Sequence, residues 1–151
     1  MDPTLRAVLG VCMRWIHVTS VVTLIGSFIY ARYIVAPALV TLGEPARETF
    51  QRNVLERFRP LLYTLILTIL GSGLYNYLTK SSYPPGYHMW IGIKFLFVLH
   101  IFAVTILYTL PGADEAKRMR WLTGMVYSAL VIFAISAWLR WISLSPVVKL
   151  P

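Results

Sequence analysis

The segment at residues 89–110, MWIGIKFLFVLHIFAVTILYTL, determines the class of this protein. It is almost continuously apolar, and it exceeds the ~20 helical residues that are needed to cross the hydrocarbon core of a bilayer. Three further segments share this character, at about residues 7–36, 61–78 and 121–142. They do not alternate between apolar and polar residues as membrane β-strands do, so we expect four membrane-spanning helices.

The composition of the whole chain supports this interpretation. Of the 151 residues, 58% are hydrophobic and only 13% are charged, and the mean hydropathy is +0.67. An average soluble domain has about 25% charged residues, so the composition excludes both an ordinary soluble domain and a disordered chain. Because the links between segments are short, we expect an all-α, up-down four-helix bundle in which residues 1–151 form a single transmembrane domain.

The net charge of +8 comes from basic residues that lie mostly between the apolar segments. Topology and anionic lipid explain such residues, and nothing indicates binding of nucleic acid. The links after the first and third segments carry Arg47, Arg52, Arg57, Arg59, Lys117, Arg118 and Arg120. The opposite side carries Arg6, Lys80 and Lys149. The positive-inside rule therefore predicts a multi-pass protein of a bacterial cytoplasmic (inner) membrane, with both termini outside, in the periplasm.

Ionisable residues are costly within a membrane, and we take five of those in the apolar segments as candidates for function. They are Arg14, His17, Lys94, His100 and Arg140. None of the four segments contains Asp or Glu, so the cations need negative charge from another source. In the predicted orientation the three cations lie in the outer leaflet. The two histidines lie deeper, His17 by about one turn from Arg14 and His100 by nearly two turns from Lys94.

Neutral imidazoles beneath a cationic rim suit haem b, whose iron accepts axial nitrogens and whose propionates need cations. We therefore predict that His17 and His100 bind the metal. Arg14, Lys94 and Arg140 are predicted to bind the propionates. The position of Lys94 is less favourable, because it is turned by about 120° from His100 around the same helix. Its side chain would have to reach around the helix or snorkel outward.

The helix faces that carry these residues can be read from spacings of three and four residues. On the first helix the face contains His17, Ser20, Leu24, Ser27 and Ala31. On the third it contains Ile93, Leu96, His100, Ala103 and Leu107, and on the fourth Ala129, Phe133, Ser136 and Arg140. Ahead of the second segment, Phe50, Val54 and Phe58 recur every four residues among charges, which predicts an amphipathic helix leading into that segment.

Several short motifs resemble a known family. They are Arg14-Trp15-Ile16-His17-Val18, Leu55-Glu56-Arg57-Phe58-Arg59, Gly71-Ser72-Gly73 and Trp90-Ile91-Gly92-Ile93-Lys94. Together they resemble the four-helix membrane proteins related to HemJ-type protoporphyrinogen IX oxidase and to copper-resistance D (CopD) proteins. The resemblance implies a haem b-associated bundle, in which His17 and Lys94 match the first-helix histidine and third-helix lysine of the oxidase. Residues Arg32, Pro37 and Leu39 are more similar to the copper-resistance branch.

Our leading hypothesis is a b-type, cytochrome-like membrane protein that passes electrons between a quinol or small substrate and a redox partner. An oxidoreductase acting on a tetrapyrrole, protoporphyrinogen IX, would use the same cations. A copper-binding or importing protein would instead use His17, His88, Met13 and Met89, since thioether and imidazole bind copper. An assembly subunit without a cofactor would have to explain the unpartnered cations. A homo-oligomer is compatible with each of these functions.

Overall fold

The computed structural model describes residues 2–80, 82–110, 112 and 114–144. Within these ranges the secondary structure is helical and contains no β-strand, which confirms the predicted all-α class. Lys149, which entered the comparison of charges on the two sides, lies outside the described residues.

The described residues contain four helical segments that are long and apolar enough to cross a membrane. The first comprises helix α1 (Pro3–Tyr30), a π-helical turn (Ala31–Val35) and helix α2 (Ala36–Leu39). The others are α3 (Glu44–Leu78), α4 (Tyr87–Thr109) and α5 (Glu115–Leu144). The predicted multi-pass membrane protein is thereby confirmed, and the four apolar helices are compatible with a lipid bilayer.

Local sequence signals explain where the helices begin and where α-helix gives way to a π-helical turn. Asp2 caps α1 by accepting a 3.0 Å hydrogen bond from the backbone N–H of Thr4, which satisfies a group without a helical partner. Pro37 has no N–H to donate and its ring crowds the preceding turn, which accounts for the π-helical turn before it. Helix α3 begins at Glu44 and continues through Pro60, so the predicted helical extension into the second segment is confirmed.

The chain divides into two compact units, Met1–Lys80 and Ser81–Pro151, which we call the first and second hairpins. In the first hairpin, Asn76 of α3 donates to the carbonyl of Met13 in α1, and Ser72 lies beside His17. Residue numbers rise along one helix as they fall along the other, so α1 and α3 are antiparallel. The buried apolar side chains between them include Leu24, Ile25, Phe28, Leu62, Leu65, Ile66 and Ile69. The single-domain organisation stays a prediction.

The second hairpin repeats this antiparallel arrangement with α4 and α5. Trp90 and Trp138 meet edge to face with ring centroids 6.2 Å apart, and further along the hairpin Thr105 donates to the sulfur of Met125. Both Thr105 and Met125 are completely buried. The buried apolar side chains here include Ile101, Phe102, Leu122, Ala129, Ile132, Ile135, Leu139 and Ile142.

Candidate functional site

The first candidate ligand, His17, is half-buried in α1 and contacts α3 through a polar group. Its Nδ1 lies 3.1 Å from Oγ of Ser72, whose side chain is almost completely buried. Ser72 Oγ also lies 2.5 Å from the carbonyl oxygen of Thr68, and a carbonyl only accepts. The Ser72 hydroxyl can therefore donate to Thr68 while its oxygen accepts a hydrogen bond from Nδ1 of His17.

A glycine allows the His17 ring to lie directly against α3. A Cβ atom at Gly73 would lie 3.0 Å from Cε1 and 3.4 Å from Nδ1 of His17. Any side chain at this position would displace the ring from its present place. Close approach of a second group is a common reason for a glycine within a helix, and it explains why Gly73 follows Ser72 directly.

Arg14 lies one turn before His17 on α1, and its side chain is exposed. It lines an open groove of about 340 Å³ together with Val11, Trp15 and Val18. On the neighbouring α3, the Asn76 amide donates to the Met13 carbonyl over 3.4 Å. The first hairpin therefore presents a cation, an amide and an imidazole within about one and a half turns of helix.

The second candidate ligand, His100, has a similar partner in the second hairpin. Its Nδ1 lies 3.0 Å from Oγ of Ser128 in α5, and a Cβ at Gly124 would lie 3.8 Å from its Cε1. Within the described residues Ser128 makes no second hydrogen bond to a backbone carbonyl, in contrast to Ser72. Its hydroxyl can donate to the imidazole or accept from it, so Ser128 does not determine which nitrogen of His100 carries the proton.

The two remaining cations, Lys94 and Arg140, also belong to the second hairpin. Lys94 is half-buried in α4, and Arg140 is exposed in α5. The contact between Trp90 and Trp138 sets the alignment of the two helices, and it places Arg140 level with the beginning of α4. Lys94 lies about 9 Å along α4 from His100. Both cations are thus nearer than His100 to the end of the hairpin that carries the tryptophans.

The predicted face of α4 that carries His100 packs against α5 only in part, through Ile93 and the His100 ring. Leu96 is 67% exposed and Leu107 is 44% exposed, and His100 and Ala103 are exposed too. The buried residues of α4 are Ile101, Phe102, Val104, Thr105 and Thr109. The imidazole of His100 therefore reaches Ser128 from the edge of the packed surface.

Among the described residues, no three His, Cys, Asp or Glu side chains form a group that could hold a metal ion. Haem iron needs no such group, because the porphyrin supplies four nitrogens and the protein only the axial ligands. Of the residues considered for copper, Met13 and His17 belong to the first hairpin and His88 and Met89 to the second. The ring of His88 packs 5.0 Å from the ring of Tyr83, measured between centroids.

Comparison of the chain with protein-family models, curated proteins and solved structures gave no match. The relationship to the HemJ-type oxidase and the copper-resistance D proteins therefore stays a prediction that rests on the short motifs. The assignment of function depends on the chemistry of the two hairpins.

Sequence reasoning named the two histidines but not the groups that hold them, which are Ser72, Gly73, Ser128 and Gly124. A signal for the first pair is present in the sequence. Gly71-Ser72-Gly73 is a run of small residues within an apolar helix, and such runs mark close helix contacts in membranes. Their pairing with a particular histidine depends on the alignment of α1 and α3.

Proposed function

We propose that this protein binds haem b in the bacterial cytoplasmic membrane and transfers electrons between a quinol or small substrate and a redox partner. The observation that carries the proposal is the His17–Ser72 hydrogen bond. Histidines that bind metals almost always donate their other ring N–H to a neighbouring group, which fixes the tautomer and the orientation of the ring. His17 has this arrangement in a helix that is long and apolar enough to span a membrane, so His17 and Ser72 fit a ligand of haem iron and its supporting group.

His17 in the first hairpin and His100 in the second are each proposed to bind haem iron. Bound haem would supply reversible one-electron chemistry at its iron. The task of the chain is to hold imidazole nitrogens at fixed positions and to exclude water around them. The apolar side chains that surround both histidines along α1 and α4 serve the second purpose.

Arg14, Lys94 and Arg140 are proposed to bind the haem propionates. None of the three forms an ion pair with a carboxylate among the described residues, whereas Arg47 pairs with Glu44. Cations at membrane depth are costly unless an anion compensates them. A ligand that brings two carboxylates would supply that compensation.

An absorption spectrum of the full-length protein, purified in detergent after expression with haem supply, tests the proposal. We expect a Soret band that shifts on reduction. His17→Ala and His100→Ala should each diminish or shift this band, whereas His88→Ala, the matched control, should leave it unchanged. Absence of a Soret band from the wild-type protein would refute the proposal. So would spectra of both ligand variants identical to that of the wild type.

The same preparation separates the other functions considered. Stoichiometric copper without a haem spectrum would identify a copper-binding protein instead. Restoration of growth in a strain that lacks protoporphyrinogen oxidase would identify the chain as that enzyme.

The proposed orientation places both termini in the periplasm and the basic links in the cytoplasm. Single cysteines test it in a Cys12→Ser background, at exposed positions Leu42 and Ser82. In intact cells, a thiol reagent that does not cross the membrane should label Ser82→Cys but not Leu42→Cys. The reverse labelling pattern would show that the chain is inserted the other way round.

A further inference from the structure

We infer that Ser72 is a positioning residue that holds His17 in the tautomer with its proton on Nδ1 and its lone pair on Nε2. The identity of the group that receives this lone pair, haem iron, rests on the proposed function. The tautomer itself rests on hydrogen bonds within the first hairpin, and it can be measured without any cofactor.

The direction of the Ser72 proton follows from a series of hydrogen bonds along α3. Thr64 donates to the Pro60 carbonyl over 2.9 Å, and Thr68 donates to the Thr64 carbonyl over 2.8 Å. Ser72 continues the series with its bond to the Thr68 carbonyl. Each hydroxyl thus donates four residues back along the helix, a common bond for Ser and Thr in apolar helices. At the end of the series, the Ser72 oxygen is left as an acceptor.

The buried position of Ser72 favours lasting donation of its proton to the Thr68 carbonyl. Ser72 is only 4% exposed, and it lies between α1 and α3 in a segment that is apolar enough to span a membrane. The hydrocarbon core of a membrane holds no water to replace a broken hydrogen bond, so polar groups there keep their partners within the protein. His17 can match this acceptor only by donating from Nδ1.

The contrast with the second hairpin makes the inference specific. Ser128 faces His100 at nearly the same distance, but its proton is not committed to a backbone carbonyl among the described residues. The two histidines therefore differ in how strongly the neighbouring serine determines which ring nitrogen carries the proton. We expect His17 to be the more firmly defined ligand, because a donated Nδ1–H both orients the ring and makes Nε2 more basic.

The experiment is ¹⁵N NMR of the full-length, haem-free protein in lipid bilayers, with histidines labelled and the His17 signals assigned by their loss in His17→Gln. We expect protonated Nδ1 and unprotonated Nε2 for His17 in the wild type. Ser72→Ala should shift the proton toward Nε2, and Ser72→Thr should restore the wild-type pattern, because Thr64 and Thr68 already make the same bond on α3. Ser27→Ala is the matched control, since Ser27 donates to the Thr23 carbonyl and has no histidine partner among the described residues.

Protonated Nε2 on His17 in the wild type would overturn the inference, even if the Ser72 variants failed to fold. A His17 pattern in folded Ser72→Ala that equals the wild type would overturn it too. With haem bound, Ser72→Ala should lower haem affinity by about 10-fold, the lower end of the usual effect of such partners, and Ser72→Thr should recover it. If the wild type binds no haem but shows the expected tautomer, the proposed function fails while the role of Ser72 stands. If haem binds and His17 carries its proton on Nε2, only the role of Ser72 fails.

Discussion

The contact between Gly73 and the His17 ring leads to a prediction about stability. A second glycine of the same helix, Gly71, provides the control. Gly71 and Gly73 both lie in α3, one residue on either side of Ser72. A Cβ at Gly71 would meet nothing within 4 Å, whereas a Cβ at Gly73 would lie 3.0 Å from Cε1 of His17. We therefore compare Gly71→Ala with Gly73→Ala.

The expected magnitude follows from two terms. Replacing a helical glycine by alanine stabilises a helix by up to about 1 kcal/mol, and this gain is common to both variants, so it cancels in the comparison. In Gly73→Ala the ring must move by a few tenths of an ångström, which weakens its 3.1 Å bond to Ser72. Hydrogen bonds between membrane helices average about 0.6 kcal/mol and reach about 1.7 kcal/mol. We expect Gly73→Ala to be less stable than Gly71→Ala by about 1 kcal/mol.

The assay is reversible unfolding in mixed micelles with increasing sodium dodecyl sulfate, followed by circular dichroism. Each glycine variant is also made in a His17→Ala background, so that a double-mutant cycle isolates the contact with the ring. Without the imidazole, the difference between the two variants should disappear. Equal stability of Gly71→Ala and Gly73→Ala with His17 present would refute the reasoning, as would a difference that persists after His17 is removed.

Three further outcomes follow from the hairpins. The Met125 side chain is completely buried, so Met125→Ala should lower the free energy of unfolding by about 2 kcal/mol or more. The control Leu130→Ala, at a side chain that is 56% exposed, should lower it by much less. Arg118→Gln removes a 3.2 Å bond from Nη2 to the Leu110 carbonyl, which should cost about 1 kcal/mol and speed amide exchange at the end of α4. Pro37→Ala supplies the missing N–H, so amide exchange in the π-helical turn should slow; unchanged exchange would mean that Pro37 is not its cause.

Much of the fold follows directly from the sequence. The apolar segments around His17 and His100 are long enough to span a membrane, and the structure contains a helix at each of the four predicted segments. The recurrence of Phe50, Val54 and Phe58 also predicted the extension of α3 to the amphipathic residues before its span. Both predictions depend on hydrophobicity and spacing along one helix, which are properties of the sequence alone.

The candidate site was predicted only in part. The cost of an ionisable group in an apolar segment singled out His17 and His100, but nothing in that argument specifies what each imidazole contacts. Ser72 lies 55 residues from His17 in the chain, and Ser128 lies 28 residues from His100. These partners depend on how two antiparallel helices are aligned, and a shift of one residue would turn a different side chain toward each ring.

The apolar helices and the basic links between them are predictable from the amino-acid sequence, because a backbone in lipid must satisfy its own hydrogen bonds and a helix does so within one segment. Which face of each helix is packed depends on how the helices meet. Apolar residues occur on all sides of helix α4, so their spacing cannot distinguish the exposed face with Leu96 and Leu107 from the buried face with Ile101 and Thr105. The protonated nitrogen of His17 was decided in the same way, because only the packing of α1 on α3 brings its ring to a hydroxyl whose proton is already used.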